Sequence, residues 1–231
     1  MKSSKTFSVL TVSKRPPNGW AKIAERSIRR QTVKPSSWVV IQEGVNSPPK
    51  TRVSNLNASL NAGLRYIDYI DTDYVIFYQD FIELQPDCFE KLLDLATPDT
   101  FVTTCTPNYD SSNDSRYTGC NCVRECPPRN WEANVAIAPM GIIRQLGGFD
   151  EEYDNGWAWD NVNLAQRAFL LGCKFLIDET NRPKLYPHDQ IDHTTLTSNA
   201  DRHTQTMQDI MDGKKPLKLN YLDAEHGAST V

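Results

Sequence analysis

The sequence has no long hydrophobic run. None of its apolar stretches approaches the roughly 18 residues that a helix needs to cross a bilayer. Its start, residues 1–6, is polar and lacks the apolar segment of a signal peptide. These absences predict a soluble, cytoplasmic protein without a membrane span, whose contact with a membrane would be peripheral.

The glycine-rich loops that commonly bind phosphate are missing as well. No G-x-G-x-x-G follows the first apolar run, and no G-x-x-x-x-G-K occurs anywhere in the chain. A dinucleotide-dependent oxidoreductase and a P-loop enzyme are therefore disfavoured. If the protein binds a phosphorylated ligand, other groups must hold the phosphates.

Charge is unevenly distributed along the 231 residues. The first 60 residues carry 11 Lys and Arg against 2 Asp and Glu, a net charge of +9, and the remainder carries −13. The basic part predicts a surface that meets phosphate on a nucleotide, a nucleic acid or an anionic membrane. A solvated helix face is the competing interpretation for Lys22, Arg26, Arg29 and Arg30.

Apolar runs alternate with helical periodicity over the first 105 residues. The runs at 7–12, 38–41, 74–78 and 101–105 have the composition of buried strands, and the segments between them place apolar residues at helical spacing. Strands that alternate with helices in this way predict an α/β fold with a mostly parallel sheet covered by helices on both faces.

The remaining chain is less regular. Residues 106–133 are rich in polar residues, Cys and Pro without a sustained period, which predicts a long loop or insertion. A strand at 135–138 and a short helix around 142–146, ended by Gly147 and Gly148, then predict a return to order. The last forty residues are predicted to be an extended, polar tail.

One acidic residue lies where a ligand would bind such a sheet. Asp80 follows the strand at 74–78, and Pro86 begins a helix after a short polar turn. Ligands of parallel sheets bind at the carboxyl ends of the strands, and a carboxylate there can hold a hard cation. Asp80 is therefore a candidate metal ligand.

The segment DYVIFYQDFIELQPDCFEKLL at 73–93 resembles the corresponding part of family 2 glycosyltransferases with the GT-A fold. In those enzymes a strand ends in an acidic triplet, followed by residues similar to Ile-Glu-Leu-Gln-Pro and a helix. The resemblance covers most of residues 7–193. It implies a GT-A domain at 1–195, which includes the insertion, and a C-terminal extension at 196–231. It also implies a nucleotide-diphosphate sugar as donor and Mn²⁺ or Mg²⁺ as cofactor.

The resemblance also assigns roles at the donor site. In the family, the first strand and its loop line the nucleotide, the second strand ends at the base, and an Asn-x-Gly helix packs beneath the sugar diphosphate. The implied donor-binding residues here are Thr11, Ser13, Arg15, Glu43, Asn61, Gln79 and Asp80. The acidic triplet is reduced to Gln79-Asp80-Phe81, which leaves one carboxylate for the metal.

The stretch GGFDEEYDNGWAWDNVNLAQRA at 147–168 is similar to the acceptor-side motif of these enzymes and of galactosyltransferases. The resemblance implies Asp160 as the catalytic base and places Trp157, Trp159 and Asn161 beside the acceptor. Inversion is favoured, and retention stays open because Asn161 replaces an acid of the family motif. The positive end of the helix is expected to lower the pKa of Asp160. The competing interpretation is that Asp160 or Asn161 only caps the helix.

Histidines are the candidates for completing the metal site. Related enzymes place a metal-ligating histidine after the strand that this sequence has at 173–177. His188 and His193 follow that strand here, and either is expected to bind the metal with Asp80. His203 and His226 are treated as background, because isolated surface histidines are usually inert.

Three of the six cysteines lie close together in the insertion, at Cys120, Cys122 and Cys126. With Cys105 at the end of the preceding strand, they offer four thiolates to a structural Zn²⁺. Free thiols, with Cys105 in the core, are the alternative. In a chain with no export signal, thiols or metal ligands are expected rather than disulfides.

We therefore expect a glycosyltransferase that moves a hexose or pentose from a nucleotide-diphosphate sugar to a hydroxyl group. The acceptor is a saccharide or glycoconjugate, or a hydroxymethylated base in DNA. The second acceptor follows from compact viral chains of this type, some of which resemble enzymes that glycosylate such bases inside an infected cell. The alternative is a non-catalytic module that binds sugar or nucleic acid on a GT-A scaffold.

Overall fold

The computed structural model describes residues 5–13, 19–42, 56–105, 116, 118–154, 156–186 and 197–223, with the backbone alone at 19–21, 157 and 197. Its strands are β1 (Phe7–Ser13), β2 (Ser37–Gln42), β3 (Tyr74–Tyr78), β4 (Ile82–Glu83), β5 (Thr100–Thr104), β6 (Val123–Glu125), β7 (Val135–Pro139), β8 (Gly156–Trp157), β9 (Lys174–Asp178), β10 (Lys184–Leu185) and β11 (Thr197–Ser198). Its helices are α1 (Gly19–Arg29), α2 (Leu56–Ile70), α3 (Cys88–Leu95), α4 (Met140–Leu146), α5 (Asp160–Leu170) and α6 (Ala200–Met211). None of the helices in these ranges combines the length and the apolar character needed to span a bilayer.

A seven-stranded sheet with the order β2-β1-β3-β7-β5-β9-β6 lies at the centre of the molecule. Strands β2, β1 and β3 pair in parallel, as do β5 and β9. Strand β7 lies antiparallel between β3 and β5, and β6 is an antiparallel edge strand on β9. Because the other five strands share one direction, the prediction of a mostly parallel sheet is confirmed.

Helices cover both faces of the sheet, as predicted. In β3, Val75 and Phe77 belong to the core cluster formed with α2, α4 and α5, whereas Ile76 belongs to the cluster formed with α1 and α3. This alternation follows from the two-residue repeat of a strand. All five residues of β3 are buried, which explains why the central strands are continuous apolar runs in the sequence.

The predicted end of the helix before the acceptor-side motif is also confirmed. Helix α4 ends at Gly147, whose φ of 72° lies in the left-handed region that glycine adopts without a Cβ penalty. Its N–H donates to the carbonyls of Ile143 and Arg144, which satisfies the last turn.

The C-terminal region is not the extended tail that the sequence predicted. Helix α6 forms there, Leu219 is buried, and Leu217 and Leu222 pack against the core cluster of α2, α4 and α5. The prediction was wrong because the buried residues of α6 are polar, His203 and Thr206, so apolar periodicity does not detect them. The C-terminal segment, residues 197–223, is thus part of the packed structure.

A carboxylate anchors the described part of the insertion. Glu179 follows β9 and is fully buried. It accepts hydrogen bonds from the N–H and hydroxyl of Thr118, at 3.0 and 2.8 Å, and from Nε of Arg124 at 2.8 Å. Burial opposes its ionisation, but these donors lower the pKa of Glu179 to about 2. An ionised, buried carboxylate therefore holds this apolar-poor segment on the sheet.

The insertion cysteines do not form the expected zinc site. Cys120 and Cys122 are joined in a disulfide with their Cα atoms 5.3 Å apart, so the expectation of thiols or zinc ligands is wrong for this pair. Cys126 is a half-buried thiol, and Cys105 is a buried one. In the described ranges, no group of three or more His, Cys, Asp or Glu side chains is arranged to hold a metal ion. Glu179 supplies the anchor that zinc was expected to supply.

Candidate active site

Two polar side chains meet at the carboxyl ends of neighbouring strands. Ser13 ends β1, Asp80 follows β3, and these two strands are parallel neighbours. The Ser13 hydroxyl donates a 2.6 Å hydrogen bond to Oδ2 of Asp80, and both residues are buried. Within the described ranges, Oδ2 is the oxygen of Asp80 that accepts this hydrogen bond.

Helices α2 and α5 begin at this same edge of the sheet. Helix α2 connects β2 to β3, and α5 precedes β9. Because β2, β3 and β9 are parallel, each of these helices runs back along the sheet, and its N-terminus lies at the edge where the strands end. Asp160 is the first residue of α5. Asp80 and Asp160 therefore lie at one edge, where ligands of such sheets bind.

The chain that follows Asp80 is paired with the chain that leads to His188. Strand β10 pairs antiparallel with β4, and the N–H of Tyr186 donates to the carbonyl of Phe81 at 3.0 Å. The Tyr186 hydroxyl also donates a 2.6 Å hydrogen bond to Oε2 of Glu83. Tyr186, the last described residue before His188, is thus fixed beside the residue next to Asp80.

Several predicted site residues are outside the described residues: the side chain of Trp157 and the residues Arg15, Glu43, His188 and His193. Two others have structural contacts. Gln79 is half-buried, and its N–H donates to the carbonyl of Asn134 at 3.0 Å. Thr11 is buried, and its hydroxyl accepts a 3.1 Å hydrogen bond from Nε1 of Trp38. The Thr11 side chain therefore ties β1 to β2.

Asn61 holds the acceptor-side loop, residues 147–159, onto α2. Its Nδ2 donates to the carbonyl of Phe149 and to Oε1 of Glu151, both at 2.9 Å. Its Oδ1 accepts from the N–H of Phe149 at 2.8 Å. The amide that was expected beneath the sugar diphosphate is thus engaged by the acceptor-side loop.

The end of the acceptor-side loop is strained. Ala158 and Trp159 have φ values of 61° and 73°, in the left-handed region that residues with a Cβ rarely adopt. Each such residue costs on the order of 1–3 kcal/mol and persists only where its surroundings impose it. Nδ2 of Asn199 donates to the carbonyls of Tyr153 and Ala158, at 2.9 and 3.2 Å. Strain held in this way is typical of functional sites.

Asp160 begins α5 without acting as its cap. The N-cap residue is Trp159, and no side-chain hydrogen bond caps this end, so the expectation that Asp160 or Asn161 caps the helix is wrong. Burial raises the pKa of Asp160, and the N–H groups of Asp160 and Asn161 offset only part of this effect. The expected lowering of the pKa is also wrong, because loss of solvent outweighs the helix N-terminus. Asn161 lies half-buried in the same turn.

His203, which the sequence analysis treated as background, lies against this turn. Its imidazole stacks on the Trp159 indole, with ring centroids 4.9 Å apart and ring planes at 28°. Nδ1 lies 3.2 Å from the Tyr153 hydroxyl, and Nε2 lies 2.9 Å from Oε1 of Gln166. Burial lowers the pKa of His203. No sequence motif marks this histidine, because these contacts of its side chain are with residues distant along the chain.

Asp154 is a second residue that the sequence analysis missed. Its Oδ1 accepts from the N–H and Nδ2 of Asn57, at 2.9 and 3.1 Å, and its Oδ2 accepts from the N–H of Ala58 at 3.1 Å. Burial raises the pKa of Asp154 to about 6, although these three donors oppose the rise. Asp154 thus binds the first turn of α2, although 97 residues separate it from Asn57. Capping patterns in sequence join residues that are close along the chain, so they do not detect this contact.

Buried charged residues hold the acceptor-side loop from inside. Arg167, fully buried in α5, donates to the carbonyls of Leu146 and Gly148 at 2.9 and 2.6 Å. From the C-terminal segment, Nζ of Lys215 lies 3.0 Å from Oδ2 of the buried Asp150. The acceptor-side loop is therefore fixed by α2, α5 and the C-terminal segment together.

No protein-family model and no curated protein matches the sequence. Solved structures do match. The chain is similar to Drosophila β1,4-galactosyltransferase 7, with 14% identity and a TM-score of 0.53 over 80% of this chain and 71% of that one. It is also similar to GalNAc-T7, with 10% identity and a TM-score of 0.60 over 84% of this chain. The fold is GT-A.

The matched GT-A structures contain ligands. The galactosyltransferase was solved, as a mutant, with manganese, UDP-Gal and xylobiose, and GalNAc-T7 was solved with UDP, GalNAc and Mn²⁺. The catalytic domain of the same galactosyltransferase with xylobiose matches over 82% of this chain and 78% of that one, with 11% identity and a TM-score of 0.51. The chain spans 45% of GalNAc-T7. At these identities the similarity confirms the predicted fold and leaves the chemistry to be argued from the site.

Proposed function

We propose that this protein is a glycosyltransferase that moves a sugar from a nucleotide-diphosphate donor to a hydroxyl group. One observation carries the proposal: the buried Asp80–Ser13 pair and the strained turn before Asp160 lie at one edge of a GT-A sheet. Sugar transfer needs a group that neutralises the leaving diphosphate and a base for the acceptor hydroxyl. The UDP-Gal bound in a similar structure supports the donor class.

Asp80 would hold Mn²⁺ or Mg²⁺. The geometry fits such an ion, because Ser13 fixes Oδ2 of the Asp80 carboxylate and a hard cation prefers oxygen ligands. When bound, the ion would neutralise charge on the leaving diphosphate. We propose His188 as a further ligand, because a single residue separates it from Tyr186, whose N–H is bonded to the carbonyl of Phe81. His193 is the alternative ligand.

The donor nucleotide would lie along the carboxyl ends of β1 and β2. Arg15 and Glu43 follow these two strands closely in the sequence. A guanidinium pairs well with phosphate oxygens, and a carboxylate can accept hydrogen bonds from a base or a ribose. We therefore propose Arg15 and Glu43 as donor-binding residues, with Thr11 and Gln79 supporting the strand ends.

Asp160 would accept the proton of the acceptor hydroxyl. The burial that raises its pKa makes it a stronger base than an exposed aspartate. Direct attack by a hydroxyl that is deprotonated there inverts the anomeric carbon, so inversion is the stereochemistry that we propose. Trp157, Trp159 and Asn161 would contact the acceptor.

A saccharide is the acceptor that we propose first. The half-buried Trp159 indole offers an aromatic ring beside Asp160, and a similar structure binds the saccharide xylobiose. A hydroxymethylated base in DNA is the second candidate. It is favoured by the net charge of +9 on the first 60 residues and by the exposure of Lys22 and Arg26 on α1, because DNA binding depends on contacts between basic residues and phosphates.

A thermal-shift screen of nucleotide sugars, each with and without Mn²⁺, tests the donor site. Binding to the native state raises the melting temperature, so a rise that needs both Mn²⁺ and one nucleotide-diphosphate sugar supports the proposal. A donor that binds but is never transferred, to saccharides or to hydroxymethylcytosine DNA, would indicate a non-catalytic module. The absence of a shift with every donor would contradict the proposed function.

A further inference from the structure

We infer that His203 is a positioning residue of the acceptor site. Its imidazole packs on the Trp159 ring and thereby holds the turn that precedes Asp160. The inference rests on the proposed function for what the site does, whereas the contact between the two rings is independent of that function. His203 belongs to the C-terminal segment, outside the part of the sequence that resembles GT-A enzymes.

The stacked imidazole restricts how Trp159 can be used. His203 is 4% exposed, whereas Trp159 is half-buried. The two rings are stacked with their planes at 28°, so the imidazole packs on one face of the indole. Only the other face and the edge remain for a ligand. If a sugar packs on that free face, the stacked His203 imidazole on the opposite face prevents the indole from tilting away.

Hydrogen bonds on both ring nitrogens fix the imidazole itself. Oε1 of Gln166 can only accept, so Nε2 carries the ring proton, and Nδ1 accepts from the Tyr153 hydroxyl. Gln166 lies in α5 and Tyr153 in the acceptor-side loop. The neutral imidazole is therefore locked between two elements, and a rotation of the ring would break a bond to at least one of them.

The backbone of the same turn is held by the residues that lead into α6. Strand β11 pairs in parallel with β8, and Asn199 bonds the carbonyl of Ala158. Gly156 permits this approach, because a Cβ there would overlap the Asn199 amide. The N–H of His203 in turn donates to the carbonyl of Asn199 at 2.8 Å. One short segment, 197–203, thus holds the backbone of the turn at Ala158 and the ring of Trp159.

A double-mutant cycle with two independent readouts tests the inference. The variants are His203→Ala, Trp159→Phe and their combination, with His203→Phe as the conservative change that keeps a stacking ring. Arg202→Ala is the matched control, because Arg202 is an exposed residue of the same helix. The readouts are intrinsic tryptophan emission and the separate values of kcat, donor KM and acceptor KM.

His203→Ala should raise the acceptor KM about tenfold and leave the donor KM unchanged. Interaction energies between contacting residues in double-mutant cycles are commonly large enough for a change of this size. His203→Phe should recover part of the loss, and Arg202→Ala should match the wild type. The emission change caused by His203→Ala should vanish when Trp159 is already replaced. The effects of the two substitutions on acceptor KM should be non-additive.

Two results would overturn the inference in an active enzyme: additive effects of the two substitutions, or equal increases in donor and acceptor KM. If the wild type transfers no sugar to any acceptor, the proposed function fails. The contact between His203 and Trp159 is then tested by the tryptophan emission alone. An emission change that depends on Trp159 then supports the positioning contact. Emission that is unaffected by His203→Ala then refutes it.

Discussion

At the scale of single residues, three aspartates at one edge of the sheet have different surroundings. Asp80 accepts a hydrogen bond from a serine hydroxyl, Asp154 accepts from the first turn of α2, and Asp160 is the first residue of α5. Burial raises the pKa of the last two. These surroundings suit three distinct tasks, which are holding a cation, docking a loop and accepting a proton.

Replacing Asp80 by Asn should remove metal-dependent donor binding while the protein stays folded. The amide oxygen of Asn can still accept the hydrogen bond from Ser13, but the negative charge that holds a hard cation is lost. The Mn²⁺-dependent thermal shift with the donor should disappear, and the melting temperature without ligand should change little. Ser13→Ala, which keeps the charge and removes only the hydrogen bond to Oδ2, should retain a smaller shift. If the Mn²⁺-dependent thermal shift with the donor persists in Asp80→Asn, the Asp80 carboxylate does not hold the metal and serves only in the turn after β3.

Asp154 should give the stability a measurable pH dependence. Its pKa is raised to about 6 in the folded state, whereas an unfolded aspartate has a pKa of about 3.9. Between these values the folded state binds more protons, so this group's stabilising contribution is complete below about pH 4 and is lost as the pH rises through about 6.

The test compares melting temperature against pH for the wild type and Asp154→Asn. The difference between the two curves cancels the other carboxylates, including Glu179, whose lowered pKa contributes with the opposite sign. The wild type should lose stability relative to the variant as the pH rises from 4 to about 6. A difference that is constant with pH would show that Asp154 is not protonated in this range.

The sequence could predict single residues of the candidate site only where the neighbouring residues along the chain form a recognisable pattern. The positions of Asp80 after a strand and of Asp160 at a helix start were predictable, because each stands at a recognisable junction. Asp154 and His203 were missed, since their partners come from distant parts of the chain. The pKa of Asp160 was predicted in the wrong direction because burial cannot be judged from the helix start alone.

At the scale of elements, the insertion depends on one carboxylate. Glu179→Ala would leave Arg124 and Thr118 without their acceptor, and losing hydrogen bonds to a charged group costs roughly 2 kcal/mol. We expect faster amide exchange in residues 118–125 and a lower melting temperature, with the parallel part of the sheet unchanged. The exposed Glu125, replaced by Ala, is the control. Equal exchange in both variants would argue that another group anchors the insertion.

Elements with apolar periodicity were predictable, and those with polar buried faces were not. The strands β1, β3 and β7 and the helices α2 and α4 lie close to their predicted positions, because burial of both sheet faces imposes apolar runs. Helix α6 buries His203 and Thr206 through hydrogen bonding and stacking. The antiparallel direction of β7 was also not predicted, since an apolar run has the same composition in either direction.

At the scale of the whole molecule, the C-terminal segment should be required for folding. It contributes Leu217, Leu219 and Leu222 to the hydrophobic packing, and Lys215 as the partner of the buried Asp150. A chain that ends at residue 196 would expose that packing surface and leave a buried charge unpaired, so we expect it to lose cooperative thermal unfolding. A chain that ends at residue 223 is the control and should unfold like the full chain. If the shorter chain unfolds as cooperatively as the full chain, the C-terminal segment is not required for folding.

In the proposed function, Asp160 deprotonates the acceptor at the edge of the sheet where Asp80 would hold the metal of the donor. The most direct measurement is mass spectrometry of the glycosylated product, formed from UDP-sugars, Mn²⁺ and a saccharide panel by wild type and by Asp160→Asn. We expect product with the wild type and a loss of roughly a hundredfold or more in turnover in the variant, within the range for acid–base groups. Donor affinity and melting temperature should be preserved, because Asp160 does not cap α5. Near-wild-type turnover by Asp160→Asn would show that Asp160 is not the catalytic base.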